Sequence, residues 1–287
     1  MIGSENDNQN LSDSILHPFF VRVHDEAIPH VAAATVPIYV FQNEEVRQNR
    51  TGVLFQIADS HFILTAAHKL HEILRAEIPL LADFGKTHRI PIPLVKGRFH
   101  YTEENDGRDV AAIELPDSVV TELLPERRFL TMADVDTEPR SQNGLYAVFG
   151  FPNEWYRRAE GVQRTDPLYF LGSIYDGAMN PHSFFDPAVY IVLGFEQRCQ
   201  NVFTHEERIL PKIQGISGCG IWRIANFSRA DVEGWNPQKV RLVAIQHRWS
   251  ERRHYIQGTW ISYVLELIWK NYPSLHAAMK LAYPKGY

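Results

Sequence analysis

The strongest constraint on this chain is a succession of short runs rich in β-branched and aromatic residues, each closed by polar or turn-forming residues. The first are VPIYVFQ (36–42), TGVLFQIAD (51–59), HFILTAA (61–67), RIPIPLV (89–95) and DVAAIEL (109–115). LYAVFGF (145–151), PLYFLGSIY (167–175), VYIVLGF (189–195), GIWRI (220–224), VRLVAIQH (240–247) and TWISYV (259–264) follow. Long amphipathic helical windows between them are scarce. That argues against a doubly wound α/β sheet and for an all-β sandwich or a pair of barrels. Only the end changes period: SYVLELIWKNYP has apolar residues at 264, 265, 268 and 269, which is helical spacing. Pro273 should end that helix, and Ser274 should cap a second one, SLHAAMKLA.

With 287 residues, 45% of them hydrophobic, the chain can bury a large core without covalent staples. Its net charge of -5 gives no global case for nucleic acid as a partner. The one basic cluster, HRWSERRH (247–254), is interrupted by Glu251 and reads as a solvated loop. No run of about 18 apolar residues occurs, so no membrane span is expected. Residues 1–30 begin polar and acidic, without the basic start and apolar stretch of a secretory signal, and read as a loosely docked arm. With only Cys199 and Cys219 in the chain, a reducing, cytoplasmic location is expected.

Three stretches carry chemistry. HFILTAAHKL ends a β-type run in small residues just before His68. GRDVAAIEL opens an apolar strand with Asp109, whose acidic neighbours Glu104 and Asp106 do not abut that strand. ILPKIQGISGCGIWRI sets Ser217 among Gly215, Gly218 and Gly220 between two apolar runs. Each is unremarkable alone. Together they supply a nucleophile, a base and an orienting carboxylate. HKLHEILR is not a zinc-peptidase motif, because Arg75 stands where the second histidine should be, so no metal is expected. Cys219 reads as a buried, inert thiol.

LTAAH, DVAAIEL and GISGCG resemble the three active-site motifs of the chymotrypsin/trypsin-like serine peptidases, in that family's order of His, Asp and Ser. The resemblance covers roughly 36–273. It implies two six-stranded antiparallel β-barrels with a C-terminal α-helix: 31–138 carrying His68 and Asp109, 139–262 carrying Ser217, and 263–287 as the helical end. It implies a serine endopeptidase without a cofactor, acting on protein or peptide substrates, with the N–H groups of Gly215 and Ser217 as the oxyanion hole. By the same resemblance, Pro211, Lys212, Gln214, His247, Arg248, Trp249 and Gly258 should wall the substrate pocket. His247 falls near a pocket histidine of glutamate-preferring relatives, and Gly258 should keep the floor open. An acidic P1 side chain and a medium apolar one both fit.

One departure is informative. Ile216 stands where the digestive members carry the Asp that pairs with a newly released N-terminus, so no zymogen switch of that type is expected. Restraint is then expected from narrow specificity or a regulatory protein partner. The rival readings are a non-catalytic peptide-binding scaffold on a protease fold and an esterase-like hydrolase.

Overall fold

The computed structural model describes residues 13–42, 45–84, 88–92, 98–103, 106–137, 144–159, 162–175, 185–200, 204, 206–226 and 228–282. The first sheet comprises β1 (Thr35–Gln42), β2 (Glu45–Ile57), β3 (Ser60–Thr65), β4 (Leu80–Phe84), β5 (His88–Ile92), β6 (Phe99–Tyr101) and β7 (Ala111–Leu115). Its seven strands run β5-β4-β1-β2-β3-β7-β6, one more than the six expected. Two short helices, α3 (Leu70–Arg75) and α4 (Asp117–Leu123), follow β3 and β7.

The second sheet uses β8 (Gly144–Gly150), β11 (Leu168–Gly172), β12 (Tyr190–Gly194), β15 (Gly220–Asn226), β16 (Arg241–Ser250) and β17 (Tyr255–Trp260), in the order β11-β8-β15-β16-β17-β12. An Ile174–Leu193 bridge, with Gly194 N–H donating to Ser173 C=O and Tyr175 N–H to Val192 C=O, joins its two outer strands into a barrel. Hairpins β9/β10 (Tyr156–Ala159, Val162–Thr165) and β13/β14 (Arg198–Gln200, Glu207–Ile209) lie outside it.

The apolar runs lack polar alternation because their strands are buried on both faces. Side chains alternate with period two. Val53, Phe55 and Ile57 of β2 therefore enter the layer shared by the two barrels, while Leu54 enters the first barrel. Leu145, Ala147 and Phe149 of β8 join the shared layer, while Tyr146 and Val148 fill the second barrel.

The N-terminal segment departs from the expected loose arm over its described part. Helix α1 (Asp13–Arg22), a π-helical turn at Val23–Ala27 and α2 (Ile28–Ala33) bury Phe19, Val23, Ala27 and Val31 in the shared layer. Phe19 meets the Trp235 ring edge-on at 5.7 Å, and Arg22 donates to the Trp235 carbonyl at 2.8 Å. The intervening His, Asp, Glu and Pro residues mask this four-residue spacing in the sequence. Residues 1–12 of the expected arm lie outside the described residues.

At the other end, beyond the short helix α5 (Arg229–Glu233), α6 (Ile261–Asn271) follows β17 directly. The next helix, α7 (His276–Ala282), begins after a 3-10 turn at Pro273–Leu275, so Ser274 lies inside that turn rather than capping the helix. Among the described residues no helix is long and apolar enough to cross a membrane.

Candidate active site

His68 leaves the end of β3 through Ala66 and Ala67, both buried, so the chain stays close to the sheet until the histidine emerges half-exposed. Asp109 holds it at two points. Its Oδ1 accepts from the His68 backbone N–H at 2.7 Å, and its Oδ2 lies 2.8 Å from His68 Nδ1. With a proton on Nδ1, the ring leaves Nε2 as a free lone pair, the tautomer a general base needs. Asp109 sits at φ +47°, in the left-handed region that aspartate tolerates better than most residues. Of the neighbouring acids, Asp106 is tied to Arg108, and Glu104 lies outside the described residues.

A second imidazole reaches the same carboxylate. His247 Nδ1 lies 3.3 Å from Asp109 Oδ2, its side chain only 6% exposed and its Nε2 enclosed without a hydrogen-bond partner among the described residues. Burial alone would raise the Asp109 pKa. The hydrogen bonds from His247 and His68 outweigh it and hold the carboxyl well below the usual carboxylate range. Beneath them, Arg50 is buried and donates to the carbonyls of Ala66, at 2.7 Å, and His68, at 3.0 Å. Burial pushes its guanidinium pKa down to about 10 against the opposing attraction of Asp109, so it stays charged at neutral pH.

Two successive turns build the Ser217 segment. Ile216 N–H donates to Ile213 C=O, and Cys219 N–H donates to Ile216 C=O. Gly215 (φ +97°) and Gly218 (φ +91°) each take the third position, as glycine does in type II turns. A Cβ at Gly218 would meet Thr65 Oγ1 at 2.0 Å and the Thr51 carbonyl at 2.2 Å, so its absence lets the serine turn dock against Thr65, three residues before His68. Asn153 N–H donates to Gln214 C=O at 2.7 Å. Because a trans peptide points its C=O and N–H in opposite directions, the Gly215 N–H faces away from Asn153. Among the described residues neither Gly215 N–H nor Ser217 N–H has an acceptor, and Ser217 makes no hydrogen bond to His68. A cleft of about 1390 Å³ is lined by His68, Asp109, Tyr190, His247 and Arg248; Ser217 is not among its lining residues.

No known protein-family profile matches this chain, and no curated protein matches it in sequence. Solved structures do. Protease Anisep from Arthrobacter nicotinovorans aligns over 83% of this chain and 95% of its own, with a TM-score of 0.51 at 11% identity. The active form of the Rv3671c protease from M. tuberculosis aligns over 87% and 86%, with a TM-score of 0.48 at 14% identity. A Glu endopeptidase in complex with MPD aligns over 83% and 89%, with a TM-score of 0.47 at 11% identity. The fold is that of the chymotrypsin-like serine proteases.

On this chymotrypsin-like frame the expected pocket residues scatter. A register shift between Gln246 and Arg248 on β16 sets His247 apart from its neighbours in the strand, and its ring lies against Asp109 while also lining the cleft. Gly258 does not hold a floor open: a Cβ there would lie 2.6 Å from Ile221 Cδ1 and 3.0 Å from the Ile245 carbonyl. Pro211 is buried, and Lys212 is exposed with its N–H on Glu154. Gln214 is exposed, and Trp249 meets Phe195 edge-on. Arg248 alone of the seven both lines the cleft and is exposed.

Cys219 is fully buried, and burial raises its thiol pKa far above the usual range. Among the described residues no cluster of three metal-ligating side chains occurs.

Sequence reasoning missed Gln48, Arg50 and Thr51. They form a polar run at the start of an apolar one, and that contrast was the available signal.

Proposed function

We propose that the chain is a serine endopeptidase that hydrolyses peptide bonds through an acyl-enzyme. The observation that carries this reading is the two-point hold of Asp109 on His68, which orients the imidazole beside a serine turn whose two N–H groups are uncommitted. Ser217 Oγ attacks the carbonyl carbon while His68 Nε2 takes its proton. The resulting oxyanion accepts from Gly215 and Ser217 N–H. The C–N bond then breaks as His68 returns the proton to the leaving amine. Water, deprotonated by His68, hydrolyses the ester. The Ser217–His68 bond is to form as substrate closes the site, since such bonds are often long before substrate binds.

Ile216 is 1% exposed and packs in the second barrel's core, which supports a site fixed without an ion-pair activation switch. Cys199 and Cys219 are free thiols, which supports work in a reducing compartment. Narrow specificity, or a partner protein, is the proposed restraint. The missing Ser217–His68 bond is the one observation that favours the rival reading, a non-catalytic peptide-binding scaffold.

The test is covalent labelling by a fluorophosphonate. The wild type should label and Ser217→Ala should not, with its melting temperature unchanged. A folded wild type that neither labels nor cleaves any member of a peptide library refutes the protease reading.

A further inference from the structure

The oxyanion turn hinges on a glycine, the residue with the greatest backbone freedom, and nothing at position 216 can anchor it by charge. Something else must fix it. Thr51 on β2, with no exposed surface, makes four hydrogen bonds around the site. Its N–H donates to Ser217 C=O at 2.9 Å, and its Oγ1 donates to Gly215 C=O at 3.1 Å. The same Oγ1 accepts from Phe151 N–H at 3.1 Å, and its carbonyl accepts from Thr65 Oγ1 at 2.8 Å. Gln48 Nε2 adds a second, 3.4 Å contact to Gly215 C=O and a bond to Phe151 C=O.

Asn153 already fixes the peptide before Gly215, and the Thr51 hydroxyl fixes the peptide after it. Both dihedrals of Gly215 are thereby set, and with them the direction of its N–H. The clamp comes from the opposite barrel, so it also ties the oxyanion turn to the strand whose Arg50 holds the His68 loop.

We infer that Thr51 is a positioning residue whose side-chain hydroxyl, supported by Gln48, locks the Gly215 turn in its oxyanion-binding form. This rests on the serine-protease reading. It adds that a constitutive hydrogen-bond clamp from the first barrel does what an activation ion pair does elsewhere.

Thr51→Val removes the hydroxyl at nearly constant shape, and Thr51→Ser keeps it. The assay is steady-state cleavage of the best substrate from a peptide library. It is paired with inhibition by a trifluoromethyl ketone built on that sequence, which becomes an oxyanion on attack, and by the matching alcohol, which cannot. The valine variant should lose about 10- to 100-fold in kcat, part of the about 10²–10³ that a lost oxyanion donor costs. Its KM should change little. It should lose ketone affinity by a similar factor while binding the alcohol as before, and the serine variant should recover both. Should the valine variant not fold, Gln48→Met is expected to show the same ketone-selective loss at smaller size.

Equal ketone and alcohol binding in a folded variant, or a serine variant as impaired as the valine one, overturns the clamp and leaves the protease reading standing. A wild type that neither labels nor cleaves overturns both.

Discussion

Removing the second imidazole on Asp109 is the most direct perturbation of the candidate site that leaves all three of Ser217, His68 and Asp109 in place. His247→Leu keeps roughly the ring's volume but deletes its donor. A hydrogen bond to a charged group contributes about 1.5–3 kcal/mol, and at 3.3 Å the low end applies. About 1.5 kcal/mol corresponds to about one unit in the Asp109 pKa and to about tenfold in rate if the loss is felt in the transition state.

The sign follows from the carboxyl. Burial raises its pKa, and the His247 bond does most to lower it, so deleting that bond moves the folded pKa up. A carboxyl depressed in the folded state stabilises above its unfolded pKa, near 3.9, and loses that stabilisation as pH falls through its folded value. His247→Leu should therefore unfold at higher pH on acidification and be less stable near neutrality, with kcat about tenfold lower and KM little moved. His247→Asn sets an amide nitrogen near the Nδ1 position and should recover most of both. Acid titration followed by tryptophan fluorescence and peptide-amide kinetics measure the two effects. If the leucine variant keeps both its acid midpoint and its kcat, or if asparagine is no better than leucine, His247 does not support Asp109.

Gly218→Ala adds a Cβ against the Thr51 carbonyl and Thr65 Oγ1 at φ +91°, so the serine turn must shift away from His68. Fluorophosphonate labelling should become at least about tenfold slower, with thermal melting lowered. Phe19→Ala opens a cavity against Trp235 in the shared layer and should cost about 3–5 kcal/mol in urea unfolding. An unchanged urea midpoint would mean that the N-terminal helices contribute nothing to the core.

The β-rich architecture and the C-terminal helix were legible because two-sided burial leaves long apolar runs, as in DVAAIEL and LYAVFGF. Strands such as Leu80–Phe84 and Phe99–Tyr101 escaped because they are short and pair through residues with no strong pattern. The candidate nucleophile and base stood out because turn chemistry is local: small residues before His68, and glycines beside Ser217, are demanded by their own backbone. Asp109 was legible only as the polar start of an apolar strand. The role of His247 was not, because a one-residue register shift on β16 decides which way its ring faces, and no local preference records that shift. The N-terminal layer was hidden for a related reason, since four apolar residues spaced by four count as a face only when a partner such as Trp235 is known to be there.

What distinguishes this site from its sequence motifs is where its support comes from. The motif residues are held less by their own loops than by the stretch Gln48–Thr51 of β2, which no motif includes. Arg50 reaches the carbonyls that precede and belong to His68, while Thr51 and Gln48 reach across to Gly215 and Phe151 of the second barrel. Arg50 and Thr51 point to opposite sides of the strand, and the register shift that skips Asn49 in the pairing with β1 brings Gln48 to the Thr51 side, so one strand end serves both halves of a cleft between two barrels. Only the Thr51 and Gln48 bonds cross between the barrels, since the acceptors of Arg50 lie in its own barrel. Opening of the interface should therefore release the Gly215 turn while leaving the His68 loop held.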